Sequence, residues 1–347
     1  MTSALLMLLV ANVLIFVHEL GHLLAAKWAG MPVTSFSVGF GPALLSTTRG
    51  ETEYRLALVP LGGFVRIEGM RGTDEERARW PHGFAFQPLS RRLVVIVAGV
   101  LANVVLALVL YAAVSVTGRW TGPVEARLAV VDHGELPPVS GWSTVPTELR
   151  IVRLDGRAID DWSGLAMALL GAKEGFHRLV FEDGTTHQVW VPAEEDARIR
   201  LLESLIPVPP SPRALGVADG AAAGAREVRR NAGLIAESGR LLATGAIGLR
   251  QLNGPIEIAR VSERTFEMGI GQLLAFVAFL SLNLAILNFL PIPLLDGGHF
   301  AMLVLEGASG RPVPPRLRRY GDVAGATVVC FFMTFVFLND LLRLFGL

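Results

Sequence analysis

Residues 93–118 and 268–295 hold 26 and 28 consecutive residues without a charged side chain. As helices, each is long enough to cross the roughly 30 Å hydrocarbon core of a bilayer. Residues 323–339 form a shorter candidate of 17 residues, and residues 3–26 a fourth, apolar apart from one polar motif. The composition agrees: 52% of the chain is apolar, 18% is charged, and the mean hydropathy is +0.49, too greasy for an ordinary soluble enzyme. A cleaved signal peptide would carry a basic start and a small-residue cleavage site. "MTSALLMLLVANVLIF" has no basic residue and runs straight into the polar motif, so it reads as a retained first span.

The motif is His18-Glu19-Leu20-Gly21-His22. On a helix, positions four apart share one face, so both imidazoles can reach one metal ion. Glu19 sits beside them, where it can take a proton from an activated water. Ionisable groups inside a membrane are expensive, which favours a functional role over packing. The single cysteine, Cys330 in the last span, excludes a disulfide framework and a thiolate metal site.

Four spans put both termini on one side. The 27–92 loop carries nine Lys/Arg against six Asp/Glu, and the 300–321 loop has Arg311, Arg316, Arg318 and Arg319 against Glu306. Residues 119–267 hold 17 basic and 20 acidic residues. The positive-inside rule then places the two basic loops in the cytoplasm, and the middle region and the termini outside. The overall net charge of zero gives no support to nucleic-acid binding.

Residues 36–67 predict an apolar hairpin, with "TEYRLALV" as a strand and Gly50-Glu51 as the turn. Gly39, Gly41, Gly62 and Gly63 permit tight bends. Two readings stay open: the hairpin dips toward the membrane beside the motif, or it is a cytoplasmic hairpin without a substrate role. Residues 68–88 read as a surface loop. In the middle, "ELRIVRLDG" predicts a strand and "DDWSGLAMALLGA" a helix capped by Asp160 or Asp161. "HRLVFEDGTTHQVWV" predicts a hairpin around Asp183-Gly184, and 207–216 a stiff Pro-rich linker. Residues 222–250 read as an amphipathic helix, lying on the membrane surface or packed on the outer domain.

Catalytic zinc usually takes three protein ligands and a water. The motif supplies two, and Asp296 is the expected third. It ends the third apolar run in "NFLPIPLLDGGH", after Pro291 and Pro293, where a broken backbone is tolerated only if it lines a protein-enclosed site. The first and third spans both run inward, so His22 and Asp296 reach similar depth near the cytoplasmic face. His299 is the rival ligand. Glu306 and Asp340 read as interface charges.

"HELGH", "SVGFGP", "YRLALVPLGGFVRIEG", "LNGPIEIA" and "NFLPIPLLDGGH" together resemble the site-2 protease family, and within it the bacterial RseP-type regulated intramembrane metalloproteases. The resemblance covers roughly residues 1–115 and 250–345. It implies Zn2+ on His18, His22 and Asp296, Glu19 as catalytic base, and substrate contacts from Asn288 and from the re-entrant hairpin at Gly39, Phe40 and Gly41. It implies transmembrane protein substrates already cut by another protease, of the anti-sigma-factor or remnant-signal-peptide type. It also implies a bacterial inner-membrane location. The middle region resembles, more weakly, an inserted PDZ domain, with which peptide contacts would come.

The expected fold is therefore an α-helical polytopic membrane protein. Four transmembrane helices are joined by a membrane-associated β-hairpin and an inserted PDZ-like α+β domain. The expected segments are 1–118 with the hairpin at 36–67, a PDZ-like domain at 120–200, a linker and amphipathic helix at 207–267, and a second membrane half at 268–347. The alternative function is a non-proteolytic metal-binding membrane scaffold or transporter.

Overall fold

In a computed structural model, residues 2–70, 72–118, 125–131, 141–147, 149–208, 214–248, 252, 254–311 and 313–344 are described. Two compact units emerge: residues 1–113 with 253–347, and residues 114–252.

The first unit begins with helix α1 (Thr2–Trp28), strands β1 (Val33–Arg49) and β2 (Thr52–Ile67), and the short helix α2 (Asp74–Arg79). Helix α3 (Leu89–Thr117) follows and runs on into the second unit. The second unit contains β3 (Leu128–Val131), β4 (Ile151–Leu154), β5 (Arg157–Ala158), α4 (Trp162–Leu170), β6 (Gly175–Phe181), β7 (Thr186–Val191), α5 (Glu195–Ser204), β8 (Leu205–Pro207) and α6 (Val217–Ala243). The first unit resumes with α7 (Pro255–Glu267), α8 (Ile270–Asn288), α9 (Asp296–Ser309) and α10 (Pro315–Leu344).

Among the described residues, four helices are long and apolar enough to cross a membrane: Ala4–Trp28, Leu89–Thr117, Ile270–Asn288 and Tyr320–Leu342. The fold is thus α-helical and polytopic, as expected. The faces they turn away from the protein stay apolar and exposed, as at Leu9, Val105 and Phe331. The charge-free run at 268–295 is not one helix. It stops at Asn288, passes through a turn over 289–295 and restarts as α9 at Asp296. The expected 300–321 loop is likewise mostly helix, filled by the rest of α9 and the start of α10. The expected loop at 68–88 contains α2 and a helical turn at Phe84–Phe86 whose Phe84 is buried.

The expected hairpin is more than a hairpin. Residues 43–49 pair antiparallel with 52–57 across the Gly50 turn. Residues 35–38 lie between two stretches of β2: Ser35 to Val38 face Arg66 to Gly63 on one side and Glu53 to Leu56 on the other. Each strand therefore folds back on itself, giving the order 43–49, 52–57, 35–38, 63–67. The reversals fall where Gly39 and Gly41 have φ of +87° and +88° and Gly62 has +127°, conformations glycine adopts without strain. Helix α1 holds this sheet: Lys27 Nζ donates to Thr52 Oγ1 (2.9 Å) and Asn12 Nδ2 to the Pro60 carbonyl (2.7 Å).

Small residues let α1 and α3 cross closely. A Cβ on Gly21 would sit 2.8 Å from that of Ala102 and overlap the Ala98 carbonyl. This is the usual device where lipid gives no hydrophobic drive between helices. Leu23, Phe36, Phe84, Ile96 and Leu303 close a core between α1, the sheet, α3 and α9. Val10 and Leu14 pack on Leu273 and Val277 of α8.

The second unit carries a four-stranded antiparallel sheet in the order β5-β4-β6-β7, and a β3-β8 pair. The hairpin at 183–184 and the Asp161 cap, whose Oδ1 accepts from Gly164 N (2.8 Å), are as expected. Its core is built around the fully buried Trp142, whose indole N–H donates to the Trp190 carbonyl (3.0 Å). Of the two readings of the amphipathic helix, packing within this unit is the one seen: Arg230 of α6 pairs with Asp161 (3.0 Å) at the start of α4 and with Glu227 (2.8 Å). Of the linker, residues 209–213 lie outside the described residues.

Candidate metal centre

Helix α1 presents His18 and His22 one turn apart, both buried, with rings edge to face at 4.8 Å. Asp296 reaches them from the first turn of α9. Its position depends on the 289–295 turn. A Cβ on Gly297 would overlap the carbonyls of Phe289 and Leu290, and one on Gly298 the Ile292 carbonyl, so only glycines let α9 begin against that turn. Leu294, two residues before Asp296, is held at φ +87°. That conformation costs a non-glycine residue on the order of 1–2 kcal/mol and persists only where surrounding packing enforces it. Pro293 in turn packs on Gly321 of α10, and a Cβ on Gly325 would overlap its carbonyl.

The three side chains converge. His18 Nε2 and His22 Nε2 are 3.2 Å apart, and each is 3.2 Å from Asp296 Oδ2. Ligands at about 2.0–2.1 Å around a tetrahedral zinc stand about 3.3–3.4 Å from one another, so this triangle has the right size. The protons argue the same way. His22 Nδ1 lies 2.8 Å from the Val95 carbonyl, which can only accept. A neutral His22 therefore carries its proton on Nδ1 and turns a lone pair toward the cluster. Asp296 Oδ2 is buried without a hydrogen-bond partner. Lone pairs this close, facing one another inside apolar packing, fit a cation between them. Among the described residues, the group that can hold a metal is His18, His22 and Asp296, without the rival His299.

Glu19 points to the sheet side of α1. Its Cγ stands 3.5 Å from where a Cβ of Gly63, on β2, would be. The 63–67 segment thus lies beside it, while 43–49 forms the opposite edge of the sheet. Asn288, last residue of α8, places Nδ2 3.5 Å from His18 Nε2. Gly39, Phe40 and Gly41 form the fold-over of β1. The Phe40 ring, 45% exposed, stacks on Phe64 (6.3 Å) and covers Gly62, where a Cβ would overlap it.

The contribution of α3 is not legible in the sequence motif. Gly99 leaves the space that the His22 ring fills: a Cβ there would come within 2.7 Å of Cε1. The signal was a glycine and an asparagine four residues apart, Gly99 and Asn103, in an otherwise aliphatic span. Asp340 also has a role beyond the one its position in sequence suggests. That buried carboxylate of α10 accepts from Gly254 N (2.9 Å), Ile256 N (2.9 Å) and Glu257 N (3.3 Å), and so caps α7 rather than serving as an interface charge. Glu306 forms a two-point pair with Arg92 (2.6 and 3.1 Å).

Similar proteins match this chain over nearly its whole length. A protein of Fusobacterium nucleatum is 28% identical over 340 residues, covering 96% of this chain and 97% of its own. One of Mesorhizobium japonicum is 31% identical over 365 residues, with 96% and 97% covered, and one of Clostridium acetobutylicum 26% over 337, with 96% and 95%. All three are named, provisionally, as zinc metalloproteases. The sequence pattern of peptidase family M50 matches residues 4–333, a stretch that takes in the histidine pair, the sheet and Asp296 alike, and the chain belongs to that family.

Proposed function

We propose that this protein is an intramembrane zinc metalloprotease. It hydrolyses peptide bonds within or next to transmembrane segments of membrane proteins, after a first cut by another protease, with anti-sigma-factor or remnant-signal-peptide substrates as the class. The observation that carries the reading is the His18, His22 and Asp296 triangle set in an apolar helix bundle. Bound there, zinc supplies a water of lowered pKa and a Lewis acid for the scissile carbonyl. Glu19 accepts the proton of the attacking water and returns it to the leaving amine.

Asn288 holds the substrate backbone by its side-chain amide or faces the charge developing on the carbonyl oxygen. A helical peptide bond is shielded, so the substrate segment must unwind first. The sheet edge after Gly41 receives it as an added strand, with main-chain hydrogen bonds supplying affinity, and Gly39, Phe40 and Gly41 contact it at the fold-over. The protein sits in the bacterial cytoplasmic membrane in several passes. The 27–92 and 300–321 segments face the cytoplasm, and the termini and the 120–200 PDZ-like region face outward. That outer region filters substrates by the size of their external domains or binds peptide.

Elemental analysis of protein purified without added metal tests the assignment. We expect about one zinc per chain, absent from a His18→Ala/His22→Ala/Asp296→Ala variant. Equal metal in both, or none in the wild type, would remove the basis for the proposal.

A further inference from the structure

Helix α3 offers three successive turns to the histidine pair. The Val95 carbonyl accepts from His22 Nδ1 (2.8 Å). One turn on, Gly99 makes room for the His22 ring. One turn further, the fully buried Asn103 places its amide 3.5 Å from His18 Nδ1. Positions 95, 99 and 103 are four apart and line one face, as do the histidines on α1. The Asn103 turn is itself fixed, because buried Ser281 of α8 donates its hydroxyl to the Asn103 carbonyl (2.8 Å).

We propose that Asn103 is the positioning residue for His18. Its amide oxygen accepts the Nδ1 proton, and this leaves the Nε2 lone pair facing His22 and Asp296. The inference rests on the zinc reading above. For Nε2 to serve as a ligand, a neutral His18 must carry its proton on Nδ1, and a buried N–H needs an acceptor. Among the described residues, the polar group at Nδ1 is the Asn103 amide. Its Nδ2 faces the ring, while its buried Oδ1 has no hydrogen-bond partner. A half-turn about the last side-chain bond exchanges the two and breaks no bond made by the oxygen. An amide that donated instead would put the His18 proton on Nε2, and would take this histidine out of the ligand set. The direction of one amide thus decides whether the first span supplies two ligands or one. His22 has the equivalent partner in the Val95 main chain, so the two histidines are oriented by the same ridge through different chemistry.

Zinc affinity of the full chain, measured by competition with a chelator, tests this on three proteins. Asn103→Leu keeps the bulk and removes the acceptor, and it should bind zinc about 10–100-fold more weakly, the usual cost of losing such a partner. Asn103→Asp can only accept, and it should stay within about threefold of wild type while Leu does not. The absorption bands of the cobalt-loaded Leu variant should shift, a readout independent of turnover. A Leu variant with wild-type affinity and spectrum would overturn the proposal. Should the Leu variant not fold, the Asp variant decides: weakening beyond about tenfold overturns the proposal, and affinity within about threefold supports it. A wild type whose zinc is unaffected by Asp296→Ala would instead sink the metal reading beneath it, so the two failures are distinguishable.

Discussion

Gly99→Ala is a one-carbon perturbation with two opposed effects. In a helix interior, alanine is about 0.8–1 kcal/mol more favourable than glycine. At position 99, however, the new methyl would lie 2.7 Å from Cε1 and 2.8 Å from Cδ2 of His22. Real carbon contacts do not come so close. The ring is held from behind by the Val95 carbonyl, and α1 is already pressed on α3 at Gly21. Neither the ring nor the helix can yield freely. Overpacking of this kind costs about 1–3 kcal/mol, so the net change in stability is a loss of at most about 2 kcal/mol. Under the proposed zinc reading, function should suffer far more, because the relaxation displaces His22, one of the three proposed ligands. We expect zinc affinity to fall at least about 100-fold, beyond the effect of a lost partner behind a ligand. Gly233→Ala in α6 is the control, with nothing within 4 Å of the new carbon, and should be neutral or slightly stabilising. The assays are metal content after dialysis against a chelator and thermal unfolding in detergent. A Gly99→Ala protein with a full complement of tightly held zinc would refute the packing argument.

Other perturbations probe other parts of the account. Arg230→Ala strands the buried carboxylates of Asp161 and Glu227, and burial already pushes the Glu227 carboxyl above its ordinary range despite Arg230 beside it. Breaking such a pair costs about 3–5 kcal/mol, read as loss of hydrogen-exchange protection in α4 and α6. Asp340→Ala removes the acceptor for three backbone N–H groups at the start of α7 and should cost about 2 kcal/mol, with faster exchange there first. Hydrogen bonds from Arg240, then Arg157, hold the Glu237 carboxyl at about 2, below its ordinary 4.5. Its stabilisation is therefore complete above pH 4.5 and is lost as pH falls from there toward 2. Amide exchange around Arg157 and Glu237 should show that window, and Glu237→Gln should abolish it.

Much of this architecture is written locally in the chain. Charge-free runs announce the spans because lipid admits little else, and His18 and His22 announce themselves by helical spacing. Asp296 could be picked out because Pro291, Pro293, Gly297 and Gly298 mark a break in an apolar run. The break itself could not be placed, since side chains from 268 to 295 remain apolar across it and hydropathy does not register a change of backbone direction. The doubled-back sheet was hidden for a different reason: its pairings of Ser35 to Val38 on two sides join residues distant in sequence, and glycines permit such a reversal without dictating it. Gly99, Asn103 and Asp340 act only through tertiary contacts. In sequence they look like a small residue in a span, a stray amide and a charge near a helix end.

In the function proposed above, Glu19 is the base of a zinc protease built into the first span. The most direct test is cleavage of a transmembrane substrate by Glu19→Gln protein in proteoliposomes, with zinc content measured on the same sample. The substitution keeps the shape of the side chain and leaves His18, His22 and Asp296 in place. A group needed chiefly for proton transfer in the transition state contributes about 10²–10⁴-fold, so cleavage should fall by that much with zinc and substrate binding unchanged. Cleavage at a near-normal rate by a fully zinc-loaded Glu19→Gln protein would contradict the account.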